Sequence, residues 1–361
     1  MNDQSLILAD ENLAGLAESF GRHGRVVCRP GRQLGRADLE GVDTLLVRSV
    51  TPVNAALLRG TPVRFVGSAT IGTDHLAVAE LQALGITVAH APGCNAQAVA
   101  EYVIHALLAL CPDWARGQTR TGQPPRLGIV GLGNVGRRLA AVAQQLGWAV
   151  WGHDPWVNLP GVIQQPLEAL LAQCDAVSLH VPLTRHGPHP TFHLLNHDTL
   201  RHWGRHTTLI NSARGAVIEE AALLAQLASC PRPVVLDVFE HEPCLGPELL
   251  SRVHWVTPHI AGYSQEGKLR GTQMIYAAWC AWRGVAPQLQ SPLPALQPRH
   301  QGEPLGPWLQ AHRAVLYDLR RDDAALRDCT GTDGTVLGAC FDHLRKTYPL
   351  RREWSAFGVE I

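Results

Sequence analysis

Three segments late in the chain, NSARGAV, LDVFEHEP and TPHIAGY, carry Arg214, Glu242 and His259 at the ends of apolar, strand-like runs, where several loops can converge. Removing hydride from the carbinol carbon of a 2-hydroxy acid requires a base for the hydroxyl proton, and histidine is the side chain most readily poised for that task. His259 is therefore the candidate base. Glu242 is its candidate partner, because a nearby carboxylate favours the imidazolium form and orients the ring. Arg214 offers a planar fork of donors that can hold a substrate carboxylate and polarise the C2 oxygen. Spacing along the chain does not by itself bring the three together. Taken singly, a surface arginine, a loop glutamate and a core histidine are the ordinary readings.

A hydride needs an acceptor, and the segment GIVGLGNVGRRLAAVAQQLG supplies a place for one. Gly131, Gly133 and Gly136 stand in GxGxxG spacing, directly after an apolar run and at the start of a helical pattern, with Asn134 and Val135 inside the motif. The first glycine permits a tight turn, the second lets backbone approach a pyrophosphate, and the third allows close helix packing. Free N–H groups at the helix start favour phosphate. The next strand-like run, AVWGHD, ends in Asp154, 23 residues after Gly131, where a carboxylate can bind the adenosine ribose hydroxyls and repel a 2′-phosphate. NAD is expected over NADP.

The elements that must position these groups come in two series. LILA, RVVC, TLLVRS, RFVGSA and ITVAHA alternate with helical patterns, and a second series runs through RLGIVG, AVWGHD, AVSLHVP, TTLINSA, PVVLDVF and HWVTPHI. Such alternation predicts parallel strands joined by crossover helices, hence an α/β protein of two doubly wound, Rossmann-like lobes with a cleft between them. A long helix is expected over 97–110 with Asn95 as N-cap, ending before Pro112. From 286 to 307 the sequence turns rich in proline and glutamine and reads as a linker ahead of a small third unit.

Composition limits the alternatives. A chain of 361 residues with 46% hydrophobic and 17% charged residues suits two or three folded domains. Lysine plus arginine and aspartate plus glutamate balance at 31 each, so no general field draws it to nucleic acid or an anionic membrane. Neither a signal peptide nor a spanning apolar run is evident, and a cytoplasmic protein is expected. Nine cysteines, scattered without a CxxC pair, predict reduced thiols and no zinc cluster. His186, His189 and His193 crowd one segment, but its glycine and prolines read as a loop, and no metal is expected.

The glycine motif together with the Arg214, Glu242 and His259 segments resembles the D-isomer-specific 2-hydroxyacid dehydrogenases over about residues 4 to 283. The resemblance implies a substrate-binding, flavodoxin-like domain from 1–95 with 259–285, an NAD-binding Rossmann domain at 96–258, and a C-terminal α+β dimerisation domain at 286–361, giving a homodimer. It further implies that Ser212, Ala213, Asp237 and Gly262 lie near NAD. Val181 stands where the family often has a threonine, leaving a backbone contact with the cofactor or none. VRSVTPVN, FVGSATIGTDHL, APGCNAQAVAEYV, HIAGYSQEGKLRGT and the tail YPLRRE resemble a branch acting on a small phosphorylated 2-hydroxy acid, which implies substrate contacts at Ser49, Thr70 and Tyr263. Arg48, Lys268 and Arg270 are cations available for the phosphate, with no one of them singled out. Cys94 is assigned a packing or turn role, since hydride transfer has no use for a thiolate. Other 2-hydroxyacid dehydrogenases, of the 3-phosphoglycerate or hydroxypyruvate type, and a non-enzymatic NAD-sensing scaffold are the competing readings.

Overall fold

A computed structural model describes residues 5–288 and 293–361. The described part of Met1–Asn95 with Ser264–Pro294 forms one compact unit, and Ala96–Tyr263 with Ala295–Ile361 forms a second. The return to the first unit thus falls at Ser264, so the 259–263 segment clusters with the second. The 289–292 part of the expected linker lies outside the described residues.

The first unit is built on five parallel strands: β1 (Ser5–Asp10), β2 (Gly24–Arg29), β3 (Thr44–Val47), β4 (Phe65–Ser68) and β5 (Thr87–His90). Their order is β2-β1-β3-β4-β5, the flavodoxin-like arrangement with its switch point between β1 and β3. Continuous apolar runs such as Leu45–Val47 suit strands covered on both faces. Ile275, Tyr276 and Trp279, from the returning helix Gln265–Arg283, pack with Ile7, Leu46 and Phe65 in one core. Cys94 is buried in that same core, a packing role.

The second unit holds seven parallel strands: β6 (Arg126–Val130), β7 (Ala149–His153), β8 (Ile163–Gln164), β9 (Ala176–Leu179), β10 (Thr208–Asn211), β11 (Val234–Leu236) and β12 (Trp255–Val256). The order β12-β11-β10-β9-β6-β7-β8 reverses between β6 and β9, which is the Rossmann switch point. The chain's candidate chemistry stands at the carboxyl ends of β6, β7, β9, β10 and β11 and just beyond β12.

Three expectations change. The C-terminal segment is helical, with Leu305–Leu316, Leu319–Arg327 and Gly338–Lys346, and its β structure among the described residues is confined to bridge positions, the antiparallel bridge Thr330 to Val336 and Arg351. Trp308, Leu309, Trp354 and Phe357 share a core with Tyr102 and Leu107 of the Ala96–Leu110 helix, so apolar burial joins this segment to the second unit. Cys329 and Cys340 are joined in a disulfide rather than left as thiols, with Cα atoms 5.7 Å apart. The hairpin-like turn between them brings the two together, which isolated cysteines eleven apart do not announce. Asn95 precedes the Ala96–Leu110 helix as expected, but its buried Oδ1 has no hydrogen-bond partner and does not cap it.

Candidate functional site

The glycine turn follows directly from β6. Gly131 has φ of 91°, and a β-carbon there would stand 2.7 Å from the His180 carbonyl oxygen at the end of β9. A β-carbon on Gly136 would come within 2.0 Å of the Gly131 carbonyl oxygen, so only glycine lets the helix seat. Gly133 differs: nothing lies within 4 Å of its β-position. It immediately precedes the Asn134–Gln145 helix, whose first turn has no side-chain cap. Asn134 is exposed and Val135 half-buried at that end. The open space and uncapped N–H groups are what a pyrophosphate requires.

Asp154, just past β7, fixes the same turn from the other side. Its Oδ2 accepts from Leu132 N at 2.7 Å, and its Oδ1 accepts from Trp156 N and Val157 N at 2.8 and 3.0 Å. Val181 lies beside the turn, its Cγ1 being 2.9 Å from the Gly131 β-position. Its side chain has no hydroxyl to offer there. Beyond β10, Asn211 closes a short turn: Oδ1 accepts from Ala213 N at 3.1 Å, and Nδ2 donates to Arg214 O at 2.9 Å. Ser212 Oγ is buried with no hydrogen-bond partner, an orphaned polar atom in the same turn. Sequence reading missed Asn211, because its role lies in contacts made to its own loop.

The three chemical residues are linked through backbone and side chain. Arg214 precedes Gly215, where a β-carbon would overlap the Phe239 carbonyl oxygen at 1.8 Å. Glycine therefore lets the Arg214 turn press against the loop after β11. Phe239 N donates to Glu242 Oε1 at 2.9 Å, and Glu242 Oε2 lies 3.0 Å from His259 Nδ1. Burial raises the Glu242 pKa, but the His259 charge and hydrogen bond, the Phe239 N–H and the Arg345 charge together leave it below the ordinary value. His259 has φ of 55°, a left-handed conformation uncommon for a residue with a side chain.

Asp237 holds that strained loop. Its Oδ1 accepts from Thr257 Oγ1 at 2.6 Å and Ile260 N at 2.8 Å, while Oδ2 accepts from Ala261 N at 2.9 Å. Burial is the largest influence on Asp237 and pushes its pKa up to about 6, although His259 and these donors pull the other way. Gly262 is half-buried at the end of the loop. Tyr263 follows it, with its ring edge-on to Tyr348 and its hydroxyl 3.4 Å from Arg345 Nη2.

In the first unit, Ser49 is exposed just after β3 and its hydroxyl has no hydrogen-bond partner among the described residues. Thr70 Oγ1 donates to the Gly72 carbonyl at 3.0 Å and lies 2.8 Å from Ser68 Oγ, which also meets His75 Nε2. Arg48 forms an ion pair with the buried Asp10 at 3.1 Å, and Arg270 donates to the Cys94 carbonyl. Lys268 lies on the Gln265–Arg283 helix. In the second unit, His193 of the histidine-rich segment pairs with Glu240 through Nε2 and Oε1, and no metal-binding group of His, Cys, Asp or Glu occurs among the described residues.

An erythronate-4-phosphate dehydrogenase of Acinetobacter baylyi is 52% identical over 358 residues, covering 98% of this chain and 99% of that protein. The chain belongs to the erythronate-4-phosphate dehydrogenase family. Another member, from Psychrobacter arcticus, is 44% identical and is matched over 97% of this chain and 99% of its own length. Residues 112–261 match the NAD binding domain of the D-isomer specific 2-hydroxyacid dehydrogenases, and residues 305–361 match a separate domain of unknown function, DUF3410. Among solved structures, TT0316 of Thermus thermophilus aligns with a TM-score of 0.66 at 27% identity, covering 78% of this chain and 98% of its own. The NAD-bound 3-phosphoglycerate dehydrogenase of Entamoeba histolytica aligns at 0.62 and 21%, covering 80% and 100%, and supports the fold. As a member of this family the chain is an NAD-dependent dehydrogenase. The cradle at Gly133, the uncapped helix start and the orphaned Ser212 hydroxyl suit NAD.

Proposed function

We propose that this protein oxidises 4-phospho-D-erythronate to (R)-3-hydroxy-2-oxo-4-phosphobutanoate with NAD, a step toward pyridoxal 5′-phosphate. The observation that carries the chemistry is the His259–Glu242 pair, 3.0 Å apart, with His259 on a loop held by Asp237. Near full-length kinship to erythronate-4-phosphate dehydrogenases supports the substrate.

Glu242 holds His259 Nδ1, which leaves Nε2 to take the C2 hydroxyl proton. Bound NAD supplies the acceptor for the C2 hydride. Arg214 is assigned to the substrate carboxylate and the C2 oxygen, where its guanidinium favours the charge that develops as the proton leaves. Ser49, Thr70 and Tyr263 are assigned to substrate oxygens. Gly131, Gly133, Asn134, Val135 and Gly136 are assigned to the pyrophosphate, Asp154 to the ribose, and Val181, Ser212, Ala213, Asp237 and Gly262 to the rest of the cofactor. The unit containing β1 to β5 is proposed as the substrate domain and that containing β6 to β12 as the NAD domain.

Purified protein given 4-phospho-D-erythronate and NAD is expected to produce the absorbance of reduced nicotinamide. A panel with 3-phosphoglycerate and hydroxypyruvate tests the assignment within the family; activity on unphosphorylated acids alone overturns it. NAD binding without any turnover favours the scaffold reading. We further propose a cytoplasmic homodimer assembled through the C-terminal segment; light scattering of the full chain tests the dimer, and a monomer refutes it. Deleting that segment is the poorer test, because it strips Trp308, Trp354 and Phe357 from the second unit's core.

A further inference from the structure

A dianionic phosphate needs a cation, and two of the sequence candidates are already held inside the first unit: Arg48 through Nε by the buried Asp10, and Arg270 through Nη1 by the Cys94 carbonyl. A different arginine lies beside the proposed base loop. Arg345 belongs to the Gly338–Lys346 helix, within the 305–361 segment that matches its own family model. Its Nη2 is 3.4 Å from the hydroxyl of Tyr263, four residues after His259. Its Nε is buried and has no hydrogen-bond partner, and no carboxylate lies within ion-pair distance of it among the described residues.

Guanidinium carries five donors, and a half-buried one with a single long hydrogen bond, beside the Phe341 ring at 6.0 Å, is under-satisfied in hydrogen bonds. The nearby acids do not meet the need. Both Glu242 oxygens are engaged, by His259 and Phe239 N. Both Asp237 oxygens are engaged, by Thr257, Ile260 and Ala261. What remains is a preformed fork of N–H groups with a phenol hydroxyl at its edge. That donor set matches the oxygens of a phosphomonoester, which accept from guanidinium two at a time.

We propose that Arg345, with the Tyr263 hydroxyl, binds the phosphate group of the substrate. The inference rests on the proposed function and gives the C-terminal segment a part in substrate choice. It also fits the partial overlap with other 2-hydroxyacid dehydrogenase structures: 98% of the TT0316 chain is matched by 78% of this one.

The test compares wild type, Arg345→Ala and Arg345→Lys on 4-phospho-D-erythronate and on unphosphorylated D-erythronate. Arg345→Ala is expected to raise KM for the phosphorylated acid about 10- to 100-fold, the loss typical of a charge-assisted hydrogen bond, with a much smaller change in kcat. Preference for the phosphorylated over the unphosphorylated acid should fall by a similar factor, and Arg345→Lys should restore part of it. Unequal folding is checked by the thermal midpoint and by NAD affinity, both expected to match wild type. Equal losses on the two acids, or a shifted pH profile with unchanged KM, overturn the proposal and place Arg345 behind Glu242 instead. Calorimetry with inorganic phosphate, on wild type and Arg345→Ala, reads the site without turnover. Weaker phosphate binding in the variant supports it and equal binding overturns it, even if wild type fails to oxidise the phosphorylated acid and the functional reading falls.

Discussion

Glu242 Oε2 stands 3.0 Å from His259 Nδ1 while Glu242 Oε1 accepts Phe239 N–H at 2.9 Å, so the carboxylate is fixed at both ends before it orients the imidazole. A ring held at Nδ1 has one nitrogen left for proton transfer. Replacing His259 with Gln is expected to lower kcat by about 10²- to 10⁴-fold, the usual worth of a positioned general base. NAD affinity, measured by fluorescence titration, should stay near that of wild type, because the glycine turn is formed without His259. Unchanged turnover in this variant removes the base assignment.

Glu242 and Asp237 should show opposite pH dependences of stability. Glu242 has a lowered pKa in the folded protein, despite burial, so its contribution is full above the ordinary carboxylate range and is lost as pH falls through the folded value. Asp237, pushed up to about 6 by burial, holds its proton more tightly folded than unfolded. Its linkage therefore adds stability as pH falls from neutrality through that value. Thermal midpoints of wild type against Glu242→Gln and Asp237→Asn across this range measure both slopes. The wild-type advantage over Glu242→Gln should shrink on acidification, and that over Asp237→Asn should grow. Parallel slopes would contradict the two environments described.

What could be read from the sequence was local. Gly131, Gly133 and Gly136 announce their turn because two close approaches and one open β-position fall within six residues. The ends of β10 and β11 and the loop after β12 announced Arg214, Glu242 and His259 as residue types, since strand periodicity fixes where strands end. Their linkage was not legible, because it runs through the Phe239 backbone and the bare Cα of Gly215. Arg345 was invisible for a related reason: it meets Tyr263 across 82 residues with no motif around it. The Asn95 cap failed because the residue type suited a helix start while the folded side chain left its Oδ1 unpaired.

The three motif glycines should separate into two kinds. Gly136→Ala drives a methyl into the Gly131 carbonyl, 2.0 Å away, and cannot relax without moving the helix from β6. A stability loss of about 4 kcal/mol or more, the range of severe steric substitutions, is expected from urea unfolding. Gly133→Ala meets no atom within 4 Å and has negative φ, so the apoprotein should unfold near the wild-type midpoint. Its NAD affinity should nevertheless fall at least about tenfold, because the methyl takes the space assigned to pyrophosphate. Wild-type NAD affinity in Gly133→Ala would move the phosphate path elsewhere.

Arg351 makes the last connection between the tail and the proposed base. Its guanidinium donates to Ala98 O at 3.0 Å, to Ile260 O at 3.1 Å and to Ala261 O, while the neighbouring Trp354 N donates to buried Glu101 at 2.9 Å. The tail thereby grips both the Ala96–Leu110 helix and the loop whose N–H groups Asp237 holds from the other side. Arg351→Met keeps much of the apolar stem but takes the guanidinium donors away from three carbonyls, of which Ile260 O retains Tyr263 N, and removes a charge near Glu101. A loss of about 3 to 5 kcal/mol is expected, as when one member of a buried charged network is removed. Because Ile260 directly follows His259, kcat should fall under conditions where the variant is still folded. A destabilised variant with wild-type kcat would assign Arg351 to the core alone, since the His259 loop would then keep its shape with Asp237 as its remaining anchor.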